Sequence, residues 1–159
     1  MKVNYSYLPR QFADIDDLLK KIKDFVKTGD FTLGKPLVEF EKKFAKLMGV
    51  KYAIGVNSGT DAIKLSLKAL GIKSGDEIIT AANTFVATVG AINELGAKPV
   101  FVDCDNTFCM NVDLVERAIT KKTKAIVPVH FTGYMTDMIK LKKISKKHNI
   151  PIVEDACQS

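Results

Sequence analysis

The chain has 159 residues, 47% hydrophobic and 26% charged, which is typical of a globular protein that buries a core without disulfides. It has no apolar run of about eighteen residues, and residues 1–7 lack the apolar stretch of a secretion signal, so we expect a cytoplasmic protein with no membrane partner. The net charge of +6 comes largely from lysines in two clusters, at 121–124 and 140–147. The second cluster lies on a helical pattern and no aromatic residues separate the lysines, so we expect a solvated helix face and no nucleic-acid partner.

Two amphipathic helices are predicted in the first third of the chain. The first follows Asp14 as its N-cap and ends at Gly29, with apolar residues recurring at helical spacing between them. A short loop leads to the second helix, which has Pro36 in its first turn and ends at Gly49.

From residue 51 onward, short apolar runs alternate with helical patterns. The predicted strands are 52–56, 77–80, 99–102, 125–127 and 151–153, and the predicted helices are 60–70, 85–95, 112–119 and 136–148. Such alternation indicates βαβ crossovers, and therefore an α/β fold with a mainly parallel sheet covered by helices on both faces. No linker or repeat is visible, so we expect residues 1–159 to belong to one domain.

Residues that commonly bind metals are sparse. The cysteines Cys104, Cys109 and Cys157 are odd in number and have no CxxC spacing, which predicts neither a disulfide framework nor a zinc site. The two histidines, His130 and His148, are too few to form a metal centre without carboxylates. We therefore expect free thiols and no metal.

Polar residues follow three of the predicted strands, at the sheet edge where ligands of parallel α/β proteins bind. After the first strand, Ser58, Gly59 and Thr60 precede a helix, whose free N–H groups and dipole favour a phosphate. Gly59 allows close backbone approach, and the hydroxyls of Ser58 and Thr60 add donors. On this pattern alone, simple helix capping is the favoured interpretation.

The other two strand ends carry an aromatic ring and a pair of carboxylates. Phe85, after the second strand, could stack on a planar ligand, although by itself the pattern favours a core residue at the start of its helix. Glu154 and Asp155 end the last strand, and a carboxylate there could hold a protonated ring nitrogen. The alternative is that both carboxylates meet water or cap the next element.

Taken in order, these segments resemble one protein family. The motifs are Asn-Ser-Gly-Thr-Asp-Ala at 57–62, Gly-Asp-Glu-Ile-Ile-Thr at 75–80, Asn-Thr-Phe-Val-Ala-Thr at 83–88, Pro-Val-Phe-Val-Asp at 99–103 and Val-Glu-Asp-Ala-Cys-Gln at 153–158. With the segment 29–41, they are similar to the DegT/StrS family of pyridoxal-phosphate (PLP)-dependent sugar aminotransferases. The resemblance covers the chain from about residue 8.

The resemblance implies a fold, a cofactor and the residues that hold it. The fold would be the N-terminal portion of a type I aminotransferase large domain, in a homodimer. Gly59 and Thr60, with Ser58 beside them, would hold the PLP phosphate. Phe85 would stack on the pyridine ring, Asp155 would pair with the ring nitrogen, and Gln158 would approach the phenolic oxygen. Phe31 and His130 would lie on the substrate side.

The reaction implied is transfer of an amino group, usually from glutamate, through PLP to a keto-sugar, for polysaccharide or amino-sugar biosynthesis, and we expect that sugar to be nucleotide-linked. In the family the Schiff-base lysine lies beyond the segment that ends here at Gln158, as do the rest of the large domain and the small C-terminal domain. We therefore expect these 159 residues alone to be inactive and to be a truncated part of the enzyme.

Two other functions remain as alternatives. A non-catalytic PLP-binding or dimerisation partner would keep the phosphate site and the aromatic ring without the chemistry. A dinucleotide-binding domain is disfavoured because no G-x-G-x-x-G follows the first predicted strand.

Overall fold

The computed structural model describes residues 6–159. The first five residues, which form most of the stretch for which the sequence predicts no secretion signal, lie outside the described residues. The chain divides into two compact units, one ending at Gly55 and the other comprising Val56–Ser159. Whether all 159 residues belong to one large domain stays a prediction.

The first unit consists of helices α1 (Leu8–Gln11), α2 (Asp16–Thr28) and α3 (Lys35–Met48). Gly29 and Gly49 end α2 and α3 in the left-handed conformation, as predicted, because glycine adopts a positive φ without strain. The predicted N-cap Asp14 is wrong, since the N-cap position is Ile15 and no side chain caps the helix. Two aspartates in the first turn of α2 favour its N-terminus through the helix dipole instead.

The second unit is built on a three-stranded parallel sheet. Its elements are α4 (Gly59–Ala69), β1 (Glu77–Ala81), α5 (Val86–Glu94), β2 (Lys98–Val102), α6 (Val112–Ala118), β3 (Thr123–Val127) and α7 (Met138–His148). The strand order is β2-β1-β3, and Ile79 of β1 pairs with Val100 and Ile126 of its neighbours. The predicted α/β class is confirmed.

Both faces of the sheet are covered, because side chains of successive strand residues point to opposite sides. Ile79 and Ile126 pack on one side with residues of α6 and α7, including Leu141. Ile78 and Val127 pack on the other side with residues of α4 and α5. This two-sided burial explains why the strands read as continuous apolar runs.

Two predicted strands do not form. Residues 52–56 pair with no strand among the described residues, and Ile54 is 79% exposed. An apolar run becomes a strand only when a neighbour completes its hydrogen bonds, and composition does not reveal that neighbour. Residues 151–153 contribute only isolated parallel bridges, Ile126 to Ile152 and, just beyond, Val129 to Asp155. In the part of the chain that the structure describes, no helix is long and apolar enough to cross a membrane.

Candidate cofactor site

The residues predicted for the cofactor converge on one cavity in the second unit. It has a volume of about 400 Å³ and lies beyond the carboxyl ends of β1 and β3. Five of the six predicted cofactor residues line it: Gly59, Thr60, Phe85, Asp155 and Gln158. Positions up to a hundred residues apart in the chain therefore share one space at the edge where parallel sheets bind ligands.

One wall of the cavity is the N-terminus of α4. Ser58 is the N-cap, and its hydroxyl oxygen accepts a hydrogen bond from the Asp61 amide at 3.1 Å. The amides of Gly59 and Thr60 donate no hydrogen bond to any other described residue. Two N–H groups at the positive end of a helix are thus available to an anion in the cavity. Ser58 does not line the cavity, and its assignment to the cofactor stays a prediction.

Gly59 leaves room for the side chain of Cys157. A Cβ atom built on Gly59 would lie 2.8 Å from the Sγ of Cys157, closer than real side chains approach. The turn that opens α4 therefore packs directly on the segment after Asp155. The packing of Gly59 on Cys157 places the free amides at the start of α4 in the same cavity as the Asp155 carboxylate.

An ion-pair network supports the same helix from outside the cavity. Lys64 lies 2.9 Å from a carboxylate oxygen of Asp61 and 2.9 Å from one of Glu94, so it joins α4 to α5. The hydrogen bond from Lys64, together with its charge, lowers the pKa of Asp61. The hydrogen bonds to Asp61 and Glu94 raise the pKa of Lys64.

Asp155 is the buried carboxylate of the cavity and is only 7% exposed. Its backbone is fixed beside β3, since its N–H donates to the Pro128 carbonyl at 2.9 Å and its carbonyl accepts from the His130 amide at 3.1 Å. Its Oδ2 accepts from the Thr88 hydroxyl at 2.7 Å, and its Oδ1 accepts from the Cys157 amide at 3.3 Å.

No cationic side chain among residues 6–159 forms an ion pair with Asp155. A buried carboxylate is costly unless a cation or hydrogen bonds compensate it. The carboxylate therefore fits a ligand that brings its own positive charge, such as a protonated pyridine. With the free amides of Gly59 and Thr60 in the same cavity, the donor set suits a group that is cationic at one end and anionic at the other.

Cys157 is a pocket residue that the sequence analysis did not select. Its thiol hydrogen-bonds to Asp155, and this contact, followed by burial and by the carboxylate's charge, raises the pKa of the thiol. The thiol is thus protonated at neutral pH and has little nucleophilic character.

Phe85 and Gln158 provide an aromatic face and an amide. Phe85 is the residue before α5 and remains 66% exposed, so it is not the core residue of the alternative interpretation. The Oε1 of Gln158 accepts from the Thr132 amide at 2.6 Å, which leaves the Gln158 NH₂ group as a donor. Such a donor suits a phenolic oxygen of a ligand.

His130 is buried next to the site but is not one of the residues that line the cavity. Its Nδ1 accepts from the Thr136 amide at 3.4 Å, and its Nε2 donates to Glu154 at 3.0 Å. Both ring nitrogens therefore form hydrogen bonds within the protein. The His130–Glu154 pair joins the segment that follows β3 to the segment before Asp155. A substrate-side role for His130 stays a prediction.

Phe31, the other predicted substrate-side residue, lies in the first unit. Its ring packs edge-on against Phe25 with centroids 5.7 Å apart, in the loop where Asp30 accepts from the Lys35 amide at 3.0 Å. A concavity of about 860 Å³ in this unit is lined partly by Asp30 and Lys35, but by none of the predicted cofactor residues. The role of Phe31 stays a prediction.

Thr88 is the further residue that sequence reasoning missed. It is fully buried and contacts Asp155 across 67 positions of sequence. The sequence feature that could have identified Thr88 is its place in α5, an apolar helix in which a buried hydroxyl requires a hydrogen-bond partner.

The carboxyl edge of this parallel sheet combines a free helix N-terminus, an aromatic ring and a buried carboxylate, which together form a site suited to a planar ligand with a cationic ring and a phosphate. The family model described as DegT/DnrJ/EryC1/StrS aminotransferase matches residues 13–159, and the chain belongs to this family.

Similar proteins have been named or solved in bacteria. A dTDP-3-amino-3,4,6-trideoxy-alpha-D-glucose transaminase of Micromonospora megalomicea subsp. nigra is 40% identical over 98% of this chain and 42% of its own length. A 3-oxo-glucose-6-phosphate:glutamate aminotransferase of Bacillus subtilis is 41% identical over 91% of this chain and 33% of its own. The crystal structure of NtdA from Bacillus subtilis with bound cofactor PMP superposes with a TM-score of 0.92 at 38% identity, covering 100% of this chain and 38% of the other. The chain spans less than half the length of these relatives.

Proposed function

We propose that this chain supplies the cofactor-binding part of a PLP-dependent aminotransferase that acts on keto-sugars. The observation that carries the proposal is the pairing, in one cavity, of the buried Asp155 carboxylate with the free amides of Gly59 and Thr60. These groups complement the two charged ends of pyridoxal phosphate. The PMP bound to the structural relative, which is the amino form of the same cofactor, supports this choice of ligand.

Each cavity residue has a proposed part in holding the cofactor. The amides of Gly59 and Thr60 bind the phosphate, and the dipole of α4 adds to that attraction. The ring of Phe85 stacks on one face of the pyridine. The amide NH₂ of Gln158 donates to the phenolic oxygen, and Asp155 holds a proton on the ring nitrogen. The chemistry supplied by bound pyridoxal phosphate is an electron sink, which requires that proton.

The proposed substrates follow from the names of the relatives. The Bacillus subtilis relative is named for glutamate and a keto-sugar phosphate, and the Micromonospora relative is named for a nucleotide-linked amino-sugar. We therefore propose glutamate as donor and a phosphorylated keto-sugar as acceptor, with a nucleotide-linked sugar as the narrower proposal. A homodimer is a further proposal that rests on the family resemblance, and the cytoplasmic location stays a prediction of the sequence analysis.

The test is an amino-transfer assay on the native polypeptide that carries this sequence, purified from its source with an antibody to the chain. With PLP, glutamate and a nucleotide-linked keto-sugar, we expect 2-oxoglutarate and an amino-sugar in equal amounts. Asp155→Asn should abolish the transfer, whereas the adjacent Glu154→Gln, which keeps an acceptor for His130, should retain it.

Two results would contradict the proposal. Full turnover by Asp155→Asn would remove the assigned role of that carboxylate. Reversible PLP binding with no amino transfer, and with nothing trapped by borohydride, would instead support a non-catalytic binding protein. The intact mass of the native polypeptide, measured in the same preparation, shows whether it has the length of the relatives.

A further inference from the structure

The carboxylate of Asp155 is held by a chain of two threonine hydroxyls. Thr88 is completely buried, and its Oγ1 lies 2.7 Å from Oδ2 of Asp155. The Oγ1 of Thr84 lies 2.8 Å from the Oγ1 of Thr88, one turn earlier along the chain. The Thr88–Asp155 contact ties the start of α5 to the segment that follows α7, so it fixes the carboxylate from the side of α5.

The direction of these hydrogen bonds follows from the charge of the carboxylate. An ionised carboxylate only accepts, so the Thr88 hydroxyl must donate to Asp155. Having used its one proton, Thr88 accepts from Thr84. Hydrogen bonds arranged head to tail polarise one another, which strengthens the bond that reaches the carboxylate.

All the groups that donate hydrogen bonds to Asp155 are neutral, so the carboxylate can still bind a cation. The donors are the Thr88 hydroxyl and the amide and thiol of Cys157, and an ionised carboxylate offers about four acceptor sites, so one remains for a ligand. A lysine or arginine in place of Thr88 would neutralise the carboxylate internally. A hydroxyl instead orients it and leaves its negative charge available to a cation in the cavity.

We propose that Thr88 is a positioning residue, which orients the Asp155 carboxylate so that it binds a protonated pyridine nitrogen. This inference rests on the proposed function, because it assumes that the cavity receives a pyridine ring. Thr84 supports this arrangement indirectly, through its hydrogen bond to Thr88. Neither threonine touches the ligand, so neither is a catalytic residue.

The experiment measures, by calorimetry, binding of pyridoxine 5′-phosphate to the native polypeptide that carries this sequence, either unaltered or with the substitutions below. This compound has no aldehyde and cannot form Schiff bases with surface lysines. The second ligand is its analogue in which C–H replaces the ring nitrogen, so that it makes no charged bond to Asp155. Thr88→Val keeps the shape of the side chain without the hydroxyl, and Thr88→Ser keeps the hydroxyl.

We expect Thr88→Val to bind pyridoxine 5′-phosphate roughly tenfold or more weakly, as for loss of a hydrogen bond to a charged group. The same variant should bind the carbon analogue no more weakly than the unaltered chain does. Thr88→Ser should recover most of the lost affinity. A disrupted pocket would weaken both ligands equally, and that result would overturn the inference, as would unchanged affinity in Thr88→Val.

If Thr88→Val does not fold, the half-buried Thr84→Val provides the same test. It should weaken the pyridine ligand selectively but to a smaller extent, and equal weakening of both ligands or no weakening would overturn the inference. Failure of the unaltered chain to bind pyridoxine 5′-phosphate would overturn the proposed function itself. Binding by the unaltered chain with no selectivity in the variants would overturn only the role of Thr88.

Discussion

Gly59 and Cys157 pack so closely that a side chain at position 59 would meet the thiol of Cys157. A Cβ on Gly59 would lie 2.8 Å from the Sγ of Cys157. A larger residue at position 59 therefore has to displace the Cys157 side chain, which lines the same cavity as Asp155. Because the obstructing atom belongs to Cys157, the contact can be tested by substituting either residue.

Gly59→Ala should lower the free energy of unfolding by about 1–3 kcal/mol, as overpacking typically does, although alanine favours helices more than glycine. Adding Cys157→Ala removes the sulfur and should restore most of the stability. Denaturant unfolding of the two single variants and the double variant measures this coupling. Additive effects of the two substitutions would mean that the residues do not contact each other.

The thiol of Cys157 should become more reactive when Asp155 loses its charge. Asp155 is the main cause of the raised thiol pKa, so Asp155→Asn should lower that pKa. Alkylation by iodoacetamide should accelerate about threefold per unit of pKa, because lower nucleophilicity partly offsets the larger thiolate fraction. Peptide mass spectrometry follows Cys157, with Cys104 as the internal reference. An unchanged or slower rate at Cys157 would contradict the assigned contact.

Lys64 should stabilise the protein in a pH-dependent way. The pKa of Asp61 is lowered in the folded state, so the ion pair stabilises the protein above the ordinary value of 3.8 and this contribution is lost as the pH falls through the lowered pKa. Lys64→Gln should therefore melt below the unaltered chain at neutral pH, and the difference should shrink in acid. Both side chains are about a quarter exposed, so the difference should be small. A difference that grows in acid would contradict this account.

The isolated 159-residue chain should aggregate. In α2 the apolar residues Leu18 and Ile22 are 46% and 48% exposed, and further large apolar side chains of the first unit are similarly exposed. Leu18→Glu with Ile22→Glu should raise the soluble fraction in sedimentation measurements. The control Lys20→Gln with Lys23→Gln changes the net charge equally and should not. A monomeric chain that melts cooperatively without these substitutions would contradict the prediction.

The local pattern predicted most of the fold because each element carries its own period. Strand β1 was expected at 77–80 and extends over Glu77–Ala81, and α4 was expected at 60–70 and extends over Gly59–Ala69. The strand predicted at residues 52–56 does not form, because strand formation depends on a pairing strand that can lie anywhere in the sequence. An apolar composition predicts burial, yet Tyr52 and Ile54 are each more than two thirds exposed.

The candidate site was predicted through motif residues, and the structure brings five of the six together at one cavity. Thr88 was missed although it lies within a quoted motif, because its partner is 67 positions away. Ser58 shows the opposite case, since local capping fully accounts for its hydroxyl. Sequence spacing therefore indicated which segments meet, and only the fold distinguished ligand-facing groups from those that support them.

The most direct test of the account is the protonation state of the pyridine nitrogen in the bound cofactor. The ¹⁵N chemical shift of ring-labelled pyridoxamine 5′-phosphate reports it, with the native polypeptide that carries this sequence in excess in a mildly alkaline buffer. We predict a protonated nitrogen in the unaltered chain and an unprotonated one in Asp155→Asn, with weaker binding. An unprotonated nitrogen in the unaltered chain, or the same shift in both proteins, would contradict the central claim that Asp155 holds the cofactor's positive charge.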